Sequence, residues 1–324
     1  MNFGAIISNP YQGKTFFGFI ILFLQRLVEV FQGKWALADL ASDEIQIFVL
    51  MGISASSALV GTFLVLRKMT MLANSLSHTI LVGIVVAFFF THAGVLGGDQ
   101  THQEPIHIEL MLVAALMMGL ITSFLTELLT KVARLQEDAS TGLVFTTLFA
   151  LGLILVTLLT RNAHIGAEVV LGNVDALHYN DIQLVSVILL INVGLFLLFF
   201  KEYQITTFDP KLAAALGISP IFFNYLLMTQ VSTTAIGAFR AVGVLMVLAF
   251  ITGPVLCARL LTNTLKHLLL LAVGIGILAS VIGVAISRHL LTEYGLTLST
   301  SGIVVCTIAV FFLITVLTKL IRTS

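Results

Sequence analysis

Between Lys68 and Asp99 the chain carries no Lys, Arg, Asp or Glu, and its middle, MLANSLSHTILVGIVVAFFF (71–90), is almost continuously apolar. A stretch like this fits a lipid bilayer, where each backbone N–H and C=O must find its partner within the segment, and a helix does that. About 20 residues at ~1.5 Å rise cross the ~30 Å hydrocarbon layer. Comparable stretches recur at 15–32, 45–66, 70–92, 109–130, 140–160, 182–200, 222–238, 241–258, 268–287 and 299–318. The expected fold is therefore all-α, a polytopic membrane protein of eight to ten transmembrane helices, in one transmembrane domain over 1–324. The first stretch is the weakest, because Arg26 and Glu29 interrupt it, and an interfacial position is its alternative. The pair 222–238 and 241–258 has almost no loop between its members and reads as one broken helix. Composition closes off a soluble alternative: 58% of the residues are hydrophobic and 10% charged, with a mean hydropathy of +1.09. A soluble molecule of this size needs far more polar covering.

Basic residues in short loops set orientation. Alternating the spans collects Lys14, Arg67, Lys68, Lys131, Arg134, Lys201, Lys211, Arg259, Lys266, Lys319 and Arg322 on one side, the expected cytoplasm. The opposite loops hold Asp39, Asp43, Glu44, Asp99, Glu104, Glu168, Asp175, Asp181 and Glu293, with Arg161 and Arg288 as basic exceptions. Sixteen basic and sixteen acidic side chains balance, which speaks against a nucleic-acid partner. Cys257 and Cys306 lie in apolar runs and imply no disulfide framework. The N-terminal MNFGAIISNPYQGKTFF lacks the basic, apolar, small-residue order of a cleaved signal.

Two polar residues interrupt the uncharged stretch. If the helix enters the membrane near Lys68, His78 lies ~15 Å deep, near the midplane. Asn74 is one turn earlier on the same face, with Ser75 and Ser77 beside it. Polar groups at this depth face a protein interior or a water-filled cavity. Two roles suit them: hydrogen-bonding glue between helices, or ligation of a transported cation, with imidazole suited to zinc, copper, iron and nickel and an amide oxygen to harder ions. Further along, FDPKLAAALGIS (208–219) falls on the cytoplasmic side. Asp209 is placed to cap a short helix with Pro210 at its first position, and Gly217 to end it.

These segments resemble a known family. LVLRKMTMLANSLSHTILVGIVVAFFF (64–90) is similar to the signature of permeases in metal ABC importers for zinc, manganese and iron. FDPKLAAALGIS followed by FRAVGVLMVLAFITGPVLCARLL (239–261) resembles the same family, and the likeness covers roughly 45–318. The resemblance implies a translocation path built from an Asp and a His on the third span, here Asn74 and His78. Asn74 departs from the pattern, and the expectation is that a second, non-identical permease supplies the missing carboxylate. The resemblance also implies that Asp209, Pro210, Leu212, Ala213 and Gly217 form the helix that couples to cytosolic ATP-binding subunits. It implies an extracytoplasmic metal-binding protein, a bacterial inner-membrane location, no cofactor in this chain beyond the transported divalent metal, and ATP bound on the partner subunit.

Other features bear on this reading. Arg240 lies at the expected outer turn, as a structural pin or a gate element. The outer loops GGDQTHQEPIHIE (97–109) and HIGAEVVLGNVDALHYND (164–181) bring His102, Glu104 and His107, and His164, Glu168, Asp175, His178 and Asp181, close in sequence. Metal capture there competes with ordinary solvated loops, since no spacing matches a zinc motif. An ion-coupled secondary transporter is one rival, with breaks at Gly237–Gly243 or Thr252–Pro254. An intramembrane serine hydrolase with Ser54 and His78 is another, but the Gly-x-Ser-x-Gly elbow is missing. SNPYQGKT (8–15) ends like a phosphate-binding loop but has Ser8 where the first Gly belongs, so ATP binds on another chain.

Overall fold

The computed structural model describes residues 9–32, 40–71, 74, 75, 79, 82, 83, 85, 86, 108–160 and 174–323. The described chain is α-helical apart from one 3-10 turn and its connections. The helices are α1 (Phe16–Phe31), α2 (Ser42–Leu66), α3 (Ile108–Val132), α4 (Glu137–Thr160), α5 (Tyr179–Leu198), α6 (Phe200–Phe208), α7 (Pro210–Ala215), α8 (Pro220–Val242), α9 (Val244–Leu261), α10 (Leu265–Tyr294) and α11 (Thr300–Thr323). A 3-10 turn spans Val174–Ala176. The described residues between 70 and 86 are also helical.

Five described helices are long and apolar enough to cross a membrane: α2, α4, α5, α10 and α11. α3 and α8 are also long, with 25 and 23 residues, and polar side chains on both, such as Thr122 and Gln230, are buried. α2 is the hub: most of its length is buried, whereas most of α11 is not. It packs on α5, α8, α9 and α10. Large apolar side chains on the outer helices, such as Leu190, Leu197, Leu270 and Ile321, point away from the core, a surface suited to lipid and unlike that of a soluble monomer.

Small residues make the hub. A Cβ on Gly61 would lie 2.0 Å from the Ile251 carbonyl oxygen of α9. One on Gly276 of α10 would lie 2.8 Å from Ser54 Oγ. Ser54 is fully buried and fills this helix contact; the Gly-x-Ser sequence serves packing. Because the obstacle at Gly61 is backbone, no rotamer relieves it. Gly61→Ala is expected to part α2 from α9 at a cost of about 2–3 kcal/mol, read as a lowered Tm of the detergent-purified protein.

α10 runs antiparallel to α2. Arg288 pairs with Asp43 at one end, Ser280 Oγ donates to the Leu50 carbonyl at 3.4 Å, and Val65 clusters with Leu268 at the other end. Arg288, an exception to the charge pattern of the outer loops, is thereby explained as the partner of a fully buried Asp43. The first turn of α2 gathers further groups. Tyr11 OH donates to Glu44 at 2.7 Å, Asn9 Nδ2 to Asp43 at 2.7 Å, and Arg26 pairs with Glu44. Burial first, and then the Glu44 carboxylate, push the Tyr11 phenol well above its ordinary pKa. The carboxylates sit where a helix N-terminus favours negative charge.

Two expectations are corrected by these contacts. Tyr11, before α1, and Arg26, within it, reach the same carboxylate, so α1 lies against the outer end of α2. It does not cross from the other side, and its 16 residues reach only ~24 Å. Lys14 therefore belongs to the Asp43 end of α2, not to the Arg67 end where the charge count placed it. The pair 222–238 and 241–258 is not one broken helix either. Asn224 near the start of α8 and Ala258 near the end of α9 both sit at the Arg67 end of the molecule. The chain reverses between them at Gly243, with φ +75° and ψ 166°, a conformation open to glycine. Pro254 lies inside α9 without interrupting it.

Candidate functional site

The helix carrying Asn74 packs on α3. Thr122 Oγ1 donates to Thr79 Oγ1 at 3.0 Å, and a Cβ on Gly83 would meet the Ala114 carbonyl at 2.9 Å. Ser75 and Thr79 are buried. Asn74 is half-buried, about 100° around the helix from Ser75, so it borders the packed face. Its amide offers an oxygen ligand or a hydrogen-bonding pair. His78 lies outside the described residues.

A second polar cluster, unanticipated from sequence, fills the core between α2, α5, α6 and α8. Asn192 Nδ2 donates to Ser56 Oγ at 2.6 Å and to Thr234 Oγ1 at 2.7 Å. Its Oδ1 accepts from Gln230 Nε2 at 3.2 Å, and Gln230 Oε1 accepts from Tyr203 OH at 2.5 Å. Both amides are matched in donors and acceptors, which is how polar groups become tolerable away from water. The available signal was Gln183, Ser186 and Asn192 within 182–200 and the run TQVSTT within 222–238. Asn192→Ala is expected to cost ~1–2 kcal/mol and to lower the Tm without changing helix content by circular dichroism.

The segment 208–219 folds as its sequence requires. Asp209 caps α7, its carboxylate accepting from Leu212 N at 3.0 Å, with Pro210 in the first turn. Gly217, at φ +79°, ends it, and Ile218 N returns to the Ala213 carbonyl at 2.9 Å. Ala213 is buried, while Phe208, Leu212 and Leu216 are exposed. The segment is held by Arg67, a residue sequence reasoning counted only as a loop charge. Its guanidinium donates to Thr206 and Thr207 Oγ1, each at 3.0 Å, and to Asn224 Oδ1 at 3.4 Å. One side chain thus ties the end of α2 to α6 and α8. Burial holds the Arg67 pKa below its ordinary value, though not enough to discharge a guanidinium near neutrality.

The remaining candidates divide. The Arg240 backbone lies three residues before the Gly243 turn; its side chain is outside the described residues. His102, Glu104, His107, His164 and Glu168 are outside them as well. Asp175 accepts from Thr300 Oγ1 at 2.8 Å and from Gln46 at 3.4 Å, and Asp181 accepts from the His178 N–H at 2.9 Å to begin α5. Asp175 thus joins the 3-10 turn to α2 and α11, and Asp181 caps its own helix. Among the described residues no group of three His, Cys, Asp or Glu is placed to hold a metal.

Known proteins place this architecture. Residues 45–319 match the ABC 3 transport family. A Chlamydia muridarum protein described as a "probable metal transport system membrane protein" is 41% identical over 314 residues, covering 97% of this chain and 96% of the relative. The Bacillus subtilis "manganese transport system membrane protein MntD" is 38% identical over 248 residues, covering 72% of this chain and 79% of the relative. The solved structure of PsaBC from Streptococcus pneumoniae in complex with Fab superposes with a TM-score of 0.71 at 25% identity, over 91% of this chain and 95% of that one. With a family match over most of its length and a 41% identical relative covering nearly all of it, the chain belongs to the ABC 3 transport family: it is a metal ABC transporter permease, a multi-pass membrane component that leaves ATP hydrolysis to a separate subunit.

Proposed function

We propose that the chain conducts a divalent first-row metal ion (manganese, zinc or iron) through the bacterial inner membrane in an ATP-driven importer, paired with a second permease. The observation that carries this reading is the family match over 45–319, joined to a 38% identical relative named for manganese transport. Asn74 and His78 line the path. Asn74 is only half covered by its own chain, which suits a residue at the face between two permeases. An amide is a weaker ligand than a carboxylate for a divalent ion, so the second permease is non-identical and contributes the acid.

A metal-binding protein delivers the ion from outside, and His102, Glu104 and His107 take part in its capture. Cytosolic ATPases dock at Asp209–Gly217, where Leu212 and Leu216 present apolar surface. Their closure on ATP swings the helices and changes the side to which the path opens, and Arg240 braces the outer turn. The test is uptake of radiolabelled manganese, zinc and iron into vesicles carrying the complete transporter. ATP-dependent uptake of at least one metal is expected. A complete, folded transporter that moves none of them overturns the importer reading. Full uptake with this chain as the sole permease removes the non-identical partner.

A further inference from the structure

At the cytoplasmic end, two adjoining cavities of about 190 and 360 Å³ open between α3, α8 and the Arg67 corner, sharing Glu127, Lys131 and Asn224 in their walls. The smaller is lined by Met69, Ser123, Thr126, Glu127, Lys131 and Asn224, among others. Met69 lies just before the helical residues 70 and 71 and five positions before Asn74, so this cavity adjoins the proposed path. Glu127 lies five residues beyond Thr122, the partner of Thr79, and so about 7–8 Å nearer the cytoplasm.

We propose that this cavity is a release site for the transported divalent cation, with Glu127 as its carboxylate and Lys131 as a tethered cation that takes the cargo's place when it leaves. The inference rests on the importer reading and adds a site to it. Two observations point to a ligand. Ser123 is 6% exposed and lines the cavity, yet its Oγ has no hydrogen-bond partner among the described residues. Glu127 is 24% exposed and holds Lys131 Nζ at 2.5 Å and Tyr225 OH at 2.5 Å, whereas the Lys131 side chain is 63% exposed. A lone carboxylate at a membrane edge is costly, and Lys131 neutralises it when no metal is present. An arriving divalent ion competes for the same oxygen, and the exposed lysine stem swings into water at little cost.

The donors offered are hard oxygens: one carboxylate and the hydroxyls of Ser123 and Thr126. Such a set holds a borderline transition metal loosely. Loose holding, reinforced by a competing ammonium, favours release over retention.

The experiment uses the complete transporter in inside-out vesicles, nucleotide-free, with Cys257→Ala and Cys306→Ser to remove the native thiols and Ser123→Cys to report on the cavity. A membrane-impermeant maleimide is expected to label the new thiol, and Mn²⁺ to slow the labelling. Adding Glu127→Gln is expected to weaken that protection about tenfold or more, and adding Lys131→Met to strengthen it. A Ser123→Cys site that resists the reagent, labelling indifferent to Mn²⁺, or protection unchanged by Glu127→Gln overturns the proposal. Any of these with ATP-dependent uptake intact removes the release site and leaves the importer reading standing. Loss of uptake in the wild-type transporter removes that reading instead.

Discussion

His78→Ala is expected to abolish metal uptake by the complete transporter while leaving its assembly and membrane level unchanged. Position carries the argument. Counting from Lys68, His78 falls ~15 Å into a ~30 Å hydrocarbon layer, and the interval is free of other ionisable side chains except His92. An imidazole there must either bond a neighbouring helix or meet the cargo. As a ligand, its removal costs at least what losing an outer-shell partner costs, about 10–100-fold in affinity. Uptake should then fall by about 100-fold or more. As packing glue, its removal costs only ~1–2 kcal/mol of helix association; uptake survives and the Tm drops. The companion change Asn74→Asp separates the two further. It places a carboxylate where the family carries one, and a lower apparent KM for the metal is expected if this face meets the ion.

How much of this was legible in the sequence depends on the range over which each signal acts. The apolar runs gave α2, α5, α10 and α11 because length and hydropathy alone fix a span. Asp209, Pro210 and Gly217 were legible because capping is settled within a few residues. Lys14 was misplaced because charge counting presumes that the helix beside it crosses, whereas Glu44 draws Tyr11 and Arg26 to one end. The reversal at Gly243 was hidden because a turn this tight leaves no polar loop between two apolar runs. The Asn192 network escaped notice because nothing local pairs its members: its partners Ser56 and Thr234 are 136 and 42 residues away. Arg67 was invisible as a clamp for the same reason, since Thr206, Thr207 and Asn224 lie 139 to 157 residues further on.

Arg67→Ala is expected to uncouple the transporter: ATP hydrolysis by the assembled complex persists while uptake falls about tenfold or more. The guanidinium is the covalent end of the hub helix α2, and its fork reaches α6 and α8 on either side of the exposed Leu212 and Leu216. If the ATPases dock on α7 as proposed, a push there has a short route into α2, the helix on which four others pack. Removing the side chain leaves Thr206, Thr207 and Asn224 without a charged donor, a cost of about 2–3 kcal/mol, and leaves α6 joined to the hub by apolar packing and by the chain Tyr203–Gln230–Asn192–Ser56. Arg67→Lys keeps the charge but not the planar fork that satisfies two threonines at once, so an intermediate loss of uptake is expected. The informative readout is the ratio of metal moved to ATP hydrolysed in proteoliposomes. A ratio unchanged in Arg67→Ala, with the complex intact, means the force passes by another contact, of which the direct packing of α8 on α2 is the first to examine. A ratio that falls while hydrolysis holds identifies Arg67 as the joint through which motion of the docking segment reaches the helices around Asn74.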